Sequence, residues 1–440
     1  MTLGGGAPRE VLDGVIEADW SPDGSQLAIS RLDTTYRVIH MLLEYPAGKV
    51  LYRPAAGGYV SDIRVSPGGD RVAFFDHATF GDDRGVVKIV DAAGRVATLT
   101  QEFWGLEGLA WERGGHSLLF SGADRGGMYQ VHRATIGGGE RLALPSPGTL
   151  TLQDVARDGA WLVTRDDWSD RLIVRAPSSP GIRDVSWLSS SANPIISRDG
   201  QLLAFEDASV QAGLLYATMI RKTDGSPVVR LGDGLPRAMS PDKRWVLAAV
   251  LTTPIQYRLY PTGAGQTVPV KWNLETVTVT DFFPDGQHLL VCGNPPRKAP
   301  ACYRSALDGS ALEQVTPDSV PGGGIRPDGG AIAYFRDGDW WIRSFADRRD
   351  RRISGFPKDF GPLRWRPDGS ALWGYAPRDP QHLEQLDVAT GRLTPLATLS
   401  LPADVSPEQV ATVSLADDPQ VYAYMARAET SLIFSIRGVR

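Results

Sequence analysis

A turn of the form Ser-Pro-Asp-Gly recurs about every 43 residues from one end of this 440-residue chain to the other. The clearest copies are Ser21-Pro22-Asp23-Gly24, Phe283-Pro284-Asp285-Gly286, Arg326-Pro327-Asp328-Gly329 and Arg366-Pro367-Asp368-Gly369. Weaker ones are Ser66-Pro67-Gly68-Gly69, Arg113-Gly114-Gly115, Arg157-Asp158-Gly159, Arg198-Asp199-Gly200 and Ser240-Pro241-Asp242. Taking the proline or its equivalent as a marker, successive copies lie 40 to 46 residues apart. Pro presets φ for the second position of a type I turn, Asp suits the third, and Gly takes the left-handed conformation that closes a hairpin. Short β-rich runs flank each turn, such as Gln26–Ser30, Arg71–Phe75, Gln201–Phe205 and Ala331–Tyr334, with an apolar or aromatic residue before it, such as Trp20, Trp111 or Trp365. Such runs are too short for helices. A period of this size in an all-β chain means propeller blades.

Two further strands follow in most repeats. In the second repeat, Val86–Asp91 is followed by Gly94 and then Arg95–Thr100. Each repeat therefore reads as four antiparallel strands, which cover one another's faces only when stacked radially. A tenth, degenerate turn fits Leu415–Pro419, and Arg9–Leu12 reads as an outer strand with no blade before it. The expected fold is all-β: a single propeller domain over residues 1–440, of about ten four-stranded blades, its ring closed by the N-terminal strand completing the last blade. Eight or nine blades with irregular insertions is the alternative. Two smaller propellers are disfavoured because no linker interrupts the repeat. Residues 1–8 are expected to be flexible, or added ahead of an excised domain.

The net charge of −5, from 46 basic and 51 acidic residues, gives no nucleic-acid footprint. No apolar run approaches the length of a membrane span, and Met1–Gly6 has neither the basic start nor the apolar core of a signal peptide. The two cysteines, Cys292 and Cys302, fall on the second and third strands of the seventh repeat. A simple hairpin register makes them face each other, so a disulfide suited to an oxidising compartment and a pair of small buried thiols both stay open.

The Ser-Pro-Asp-Gly repeats resemble the WD40-like (PD40) repeats of the translocation protein TolB and of prolyl-oligopeptidase-type propellers. Longer stretches, namely Gly5–Leu12, Leu43–Tyr52, Gly81–Gly85 and Arg221–Gly232, resemble the C-terminal propeller region of bacterial serine/threonine protein kinases. That resemblance implies a sensor or interaction domain of a longer membrane-anchored protein, placed outside the cytoplasm in the periplasm. It transfers no kinase activity, since no kinase signature is present.

Catalytic signatures are missing. There is no Gly-x-Ser-x-Gly elbow, no Walker-type phosphate loop and no His-Glu-x-x-His. The six histidines are scattered over different repeats, and each turn aspartate is expected to cap its own turn, so neither a metal nor a cofactor is expected. Loops opposite the Pro-Asp-Gly turns are the better candidates, because a rigid scaffold positions them. The densest set is Asp82, Asp83 and Arg84, with His77 and Phe80 nearby, followed by Phe103 and Trp104, Asp124 and Arg125, and Arg165 and Trp168. Aromatic residues beside arginine are what protein and peptide recognition uses. The expected function is a non-enzymatic module that binds a protein, a peptide or a small molecule. The alternative is a lyase or hydrolase using the central channel, which needs convergent acid and base groups there.

Overall fold

In the computed structural model, residues 12–33, 40–55, 57–177, 179–357 and 359–438 are described. The repeated turn behaves as its chemistry dictates. In the first copy the Ser21 hydroxyl donates to Asp23 Oδ1 at 2.6 Å, the Ser25 amide donates to the same oxygen at 3.1 Å, and the Gly24 amide donates to Ser21 O at 2.8 Å. Gly24 takes φ +69°, the left-handed region that closes the turn. The aspartates are thus consumed by their own turns, and their hydrogen bonds hold the Asp23 carboxyl down at about 2.

Each turn joins an inner strand to a second strand, and ten such hairpins occur among the described residues. Eight of them continue into four-stranded antiparallel sheets of sequential strands; the first is Val15–Trp20, Leu27–Asp33, His40–Glu44 and Val50–Tyr52. The fourth and tenth hairpins, with inner strands Leu150–Val155 and Val410–Leu415, instead share one sheet through two 15-residue strands, Trp161–Arg175 and Tyr422–Ile436.

The described chain divides into two compact units, residues 1–166 with 431–440, and residues 167–430. The boundary falls inside both long strands. In the first unit, blades 1 to 4 pack in sequence through three apolar clusters. Leu43 and Ile63 lie in the first, Phe75 and Phe120 in the second, and Leu119 with Leu152 and Trp161 in the third. Ile436, from the end of the second long strand, packs on the last of these.

The second unit is a closed ring of six blades. Buried clusters join blade 5 to 6 (Ala204, Val246), 6 to 7 (Leu247, Leu289), 7 to 8 (Leu290, Tyr334), 8 to 9 (Ala333, Leu372) and 9 to 10 (Trp373, Val413). A sixth joins blade 10 back to blade 5, through Leu172, Ala416 and Ala423 against Leu203 and Phe205. Blade 10 comes from both ends of the unit: Val410–Leu415 and the start of Tyr422–Ile436 supply its inner and second strands. Residues 167–175 and the short strand Arg183–Asp184 complete it. Hydrogen bonds from the Ile196 amide to Ser414 Oγ and from the Asp417 amide to Arg198 O tie the closure at its inner edge.

The repeat therefore builds an all-β propeller protein, and the ten hairpins are present. Six of them close into a ring within the second unit, and the last blade of that ring takes residues 167–175 and 183–184 as its outer strands, the place expected for Arg9–Leu12. Of that N-terminal stretch, residues 1–11 lie outside the described residues. The physical reason is that a turn signal fixes a hairpin but not the strand beyond it. Residues 161–175 run on as one extended strand, so the second strand of one hairpin becomes the third strand of another blade.

Tryptophans before the turns stitch neighbouring blades. Trp111 Nε1 donates to Arg64 O and Trp365 Nε1 to Gly324 O, both at 2.9 Å, each onto the preceding inner strand. Trp20, expected in the same role, is 60% exposed, because no described blade precedes it. Cys292 and Cys302 pair directly across their hairpin as a fully buried disulfide, packed with Ile332 and Tyr334 of blade 8. No helix among the described residues is long and apolar enough to cross a membrane.

Candidate functional site

Inner strands line the channel of a propeller, and here almost all of them carry a β-bulge, with register shifts in every blade except the eighth. A bulge re-aims a side chain that strict alternation would send between blades. In the six-bladed unit the bulged residues include Arg237 and Leu363, and both face a cavity of about 360 Å³ lined by all six inner strands. The cavity also takes in Arg198, Pro241 and Pro327 from the turns, so it lies at the turn end of the channel.

Its charges are few and uneven. Arg364 donates from Nη1 to Leu415 O at 2.7 Å and pairs through Nη2 with Asp417. Enclosure holds its guanidinium below the usual range, with Asp417 opposing that shift and Arg198 adding to it. Arg198 and Arg237 are exposed to the cavity, and among the described residues neither side chain forms a hydrogen bond or an ion pair. Asp281, on the inner strand of blade 7, is the carboxylate that lines the cavity with them. It is open to the channel's water but ringed by protein. That enclosure raises its pKa, against the Phe282 amide that bonds it and the positive charges of Arg198 and Arg364. Arg198, Arg237 and the Asp417-paired Arg364 thus face Asp281, and the positive charge in excess of these two carboxylates favours an anion.

In the four-bladed unit the inner strands carry acid. Glu17, Asp62 and Glu107 lie 45 residues apart on successive inner strands. Each bonds the next blade: Glu17 accepts from the Ile63 amide, Asp62 from the Gly108 amide, and Glu107 from the Thr151 hydroxyl. Desolvation raises all three. Glu107 is pushed up to about 7, by desolvation first and then by the charges of Asp83, Asp166 and Asp62, although part of its surface meets water. A carboxyl raised in the folded state is held protonated by folding, so its effect is neutral below about 4.5 and becomes a penalty as pH rises through about 7. Glu107→Gln should accordingly raise the melting temperature of this unit at pH 8 and leave it unchanged at pH 4.5. Equal shifts at both pH values would refute the assignment. No group of three metal-ligating side chains occurs among the described residues.

The loop residues singled out from the sequence are not gathered into one site. Asp82 is buried and pairs with Arg84 at 2.5 Å, beneath a stack of Tyr59 on His77, so this loop is closed on itself; Asp83 beside it is exposed. Phe103 and Trp104 are core, with Phe103 edge-on to Phe120 at 5.3 Å. Asp124 and Arg125 are exposed, and Arg165 and Trp168 fall in different units. Trp168 lies under the Arg427 guanidinium at 6.0 Å. The channel arginines went unread because Arg198 occupies the place of proline in its turn, and Arg237 and Arg364 resemble the ordinary polar residues of an alternating strand.

No family model matches the chain, and no curated protein matches it. Among solved structures, a putative TolB from Agrobacterium tumefaciens is similar to it at 17% identity, covering 60% of this chain and 99% of its own, with a TM-score of 0.43. An oligogalacturonate lyase from Vibrio parahaemolyticus is similar at 13% identity over 84% of this chain and 98% of its own, with a TM-score of 0.39. The tricorn protease is similar at 12% identity over 96% of this chain and 44% of its own, with a TM-score of 0.33. The fold is a β-propeller. That statement rests on the Pro-Asp-Gly hairpins and the four-stranded blades, and these similarities add nothing about function.

Proposed function

We propose that the chain is a recognition module whose six-bladed unit takes an anionic ligand at the turn end of its channel. The observation that carries this is the pair of cavity-facing arginines, Arg198 and Arg237, left without partners beside Arg364. Guanidinium groups lining one channel end without ion pairs raise the local positive potential, which draws an anion there. Such a module fits a sensor or interaction domain of a bacterial membrane-linked regulator, the role implied by the kinase-region resemblance. The buried Cys292–Cys302 disulfide supports an extracytoplasmic setting.

Calorimetric titration with citrate, against glycerol as an uncharged control, tests the reading. Citrate should bind with an affinity that falls as salt is raised, and Arg198→Gln with Arg237→Gln should weaken it by about tenfold or more, roughly 1.4 kcal/mol per tenfold. Citrate binding that is absent, or indifferent to both substitutions, would overturn it.

A second reading is favoured by one observation, the raised Asp281 carboxyl beside arginines, since an acid or base in the channel would need that arrangement. The two readings part at Asp281→Asn. A binding module gains affinity for citrate when the competing negative charge is removed, whereas an enzyme loses turnover.

A further inference from the structure

The inner strand of blade 8 differs from every other. Where its counterparts carry side chains into the channel, this segment reads Pro321-Gly322-Gly323-Gly324, and its short strand Gly323–Ile325 pairs without a bulge. The channel wall is therefore bare backbone at this blade. Behind it lies a second cavity of about 370 Å³, between blades 8 and 9, walled by Pro321, Phe335, Trp340, Pro362, Leu363 and Leu372. Phe335 is 43% exposed although it packs on Trp340, whose other partner is the stacked ring of Phe356 at 5.1 Å. Gly323, Gly324, Leu363, Arg364 and Trp365 line both cavities, so the apolar cleft adjoins the arginine-lined channel end at these residues.

Resting on the reading of the channel as an anion site, we infer that the ligand is a peptide chain end whose last residue is bulky and apolar. Its terminal carboxylate lies among Arg198, Arg237 and Arg364, and its last side chain enters the cleft between blades 8 and 9. Charge complementarity selects the carboxylate, and the rings and prolines select an apolar group beside it. The three glycines between them bring exposed main chain alongside, which is what the backbone of a peptide can pair with and a simple acid cannot use.

The test uses the whole chain and three hexapeptides, Gly-Ser-Gly-Ser-Gly-Phe with a free terminus, the same peptide amidated, and one ending in glycine. The free phenylalanine peptide should bind about tenfold or more tightly than either of the others, the order of discrimination a filled apolar pocket gives. Gly324→Leu adds bulk where the two cavities adjoin, without strain. A β-carbon there meets only the Trp365 indole, at 3.9 Å, and the backbone is not left-handed. This variant, and Phe335→Ala separately, should reduce the phenylalanine peptide to the level of the glycine peptide, and Phe335→Ala, which touches the cleft and not the channel cavity, should leave citrate binding unchanged. Equal, arginine-dependent binding of both free peptides would overturn the inference and leave the anion site standing. Equal binding of the free and amidated phenylalanine peptides would overturn both, and so would no binding by any peptide together with none by citrate. Citrate binding with no peptide binding would overturn the inference alone.

Discussion

Arg427→Ala should cost the six-bladed unit about 3 kcal/mol, more than any other exposed arginine in it. Arg427 comes from the start of Tyr422–Ile436, and its guanidinium donates from Nε to Asp170 Oδ1 at 2.8 Å and from Nη2 to Oδ2 at 3.3 Å. Asp170 is 3% exposed, and the Ser190 hydroxyl donates to it at 3.1 Å. These partners are 257 residues apart in sequence and meet only because blade 10 is assembled from both ends of the unit. Truncating the arginine strands a buried carboxylate with one hydroxyl for a partner, which is why the loss exceeds the small value of a surface pair. Urea unfolding reads it directly. Asp170→Asn in the Arg427→Ala background should recover much of the loss, because the stranded charge is then gone. If each substitution alone costs less than about 0.5 kcal/mol and the two simply add, the ion pair does not hold the ring closed.

That prediction could not have been made from the repeat. Ser-Pro-Asp-Gly is a local instruction, and it was obeyed in every copy: Asp23, Asp285, Asp328 and Asp368 each accept an amide hydrogen bond from their own turn. The number of hairpins and the four-strand blade were legible for that reason. Strand pairing across the ends of a ring is not local. The run Trp161–Arg175 carries Asp166, Asp167 and Asp170 with no glycine or proline to break it, and read alone it is a strand, a loop and a strand. Only the complementary run Tyr422–Ile436, likewise unbroken, makes it one strand. Length without a breaker was the available signal in both.

The site was less legible than the fold, and the physical cause is the bulge. Alternation assigns Arg237 and Leu363 to a face by parity, and an inserted residue changes the parity. The charge density of the loops opposite the turns is partly spent internally, in the Asp82–Arg84 pair, while Asp83, Asp124 and Arg125 stay exposed. Unspent charge lies also at the short-turn end of the channel, where Arg198 replaces proline. The glycine run at 322–324 was visible as composition. Its meaning depends on the cleft behind it, which is formed by residues up to about 50 positions away, such as Trp340 and Leu372.

Gly108→Ala should damage the four-bladed unit more than loss of Arg427 damages the other, at about 4 kcal/mol or more. Gly108 is the bulged residue of the inner strand Gly105–Trp111, between Glu107 and Leu109, and its φ is +61°. The left-handed conformation alone costs an alanine about 1 kcal/mol. The larger cost is steric. A β-carbon at this position would lie 1.8 Å from Leu152 O and 2.8 Å from Leu152 C, both backbone atoms of the next inner strand, which cannot rotate away. Moving that strand would break the Leu152 amide bond to Ser121 Oγ and the packing of Leu152 on Leu119 and Trp161, all of it fully buried or nearly so. The same glycine donates its amide to Asp62, so the displacement would also loosen the carboxylate that ties blade 2 to blade 3. Gly94→Ala supplies the comparison, with a similar φ of +80° and nothing closer than 4.0 Å to its β-carbon. It should cost only the conformational term, about 1 kcal/mol. Equal losses at the two glycines would mean that the inner strands of blades 3 and 4 do not approach this closely. A loss at Gly108 several times larger, read as a lower urea midpoint with an unchanged slope, is what close packing of successive inner strands demands.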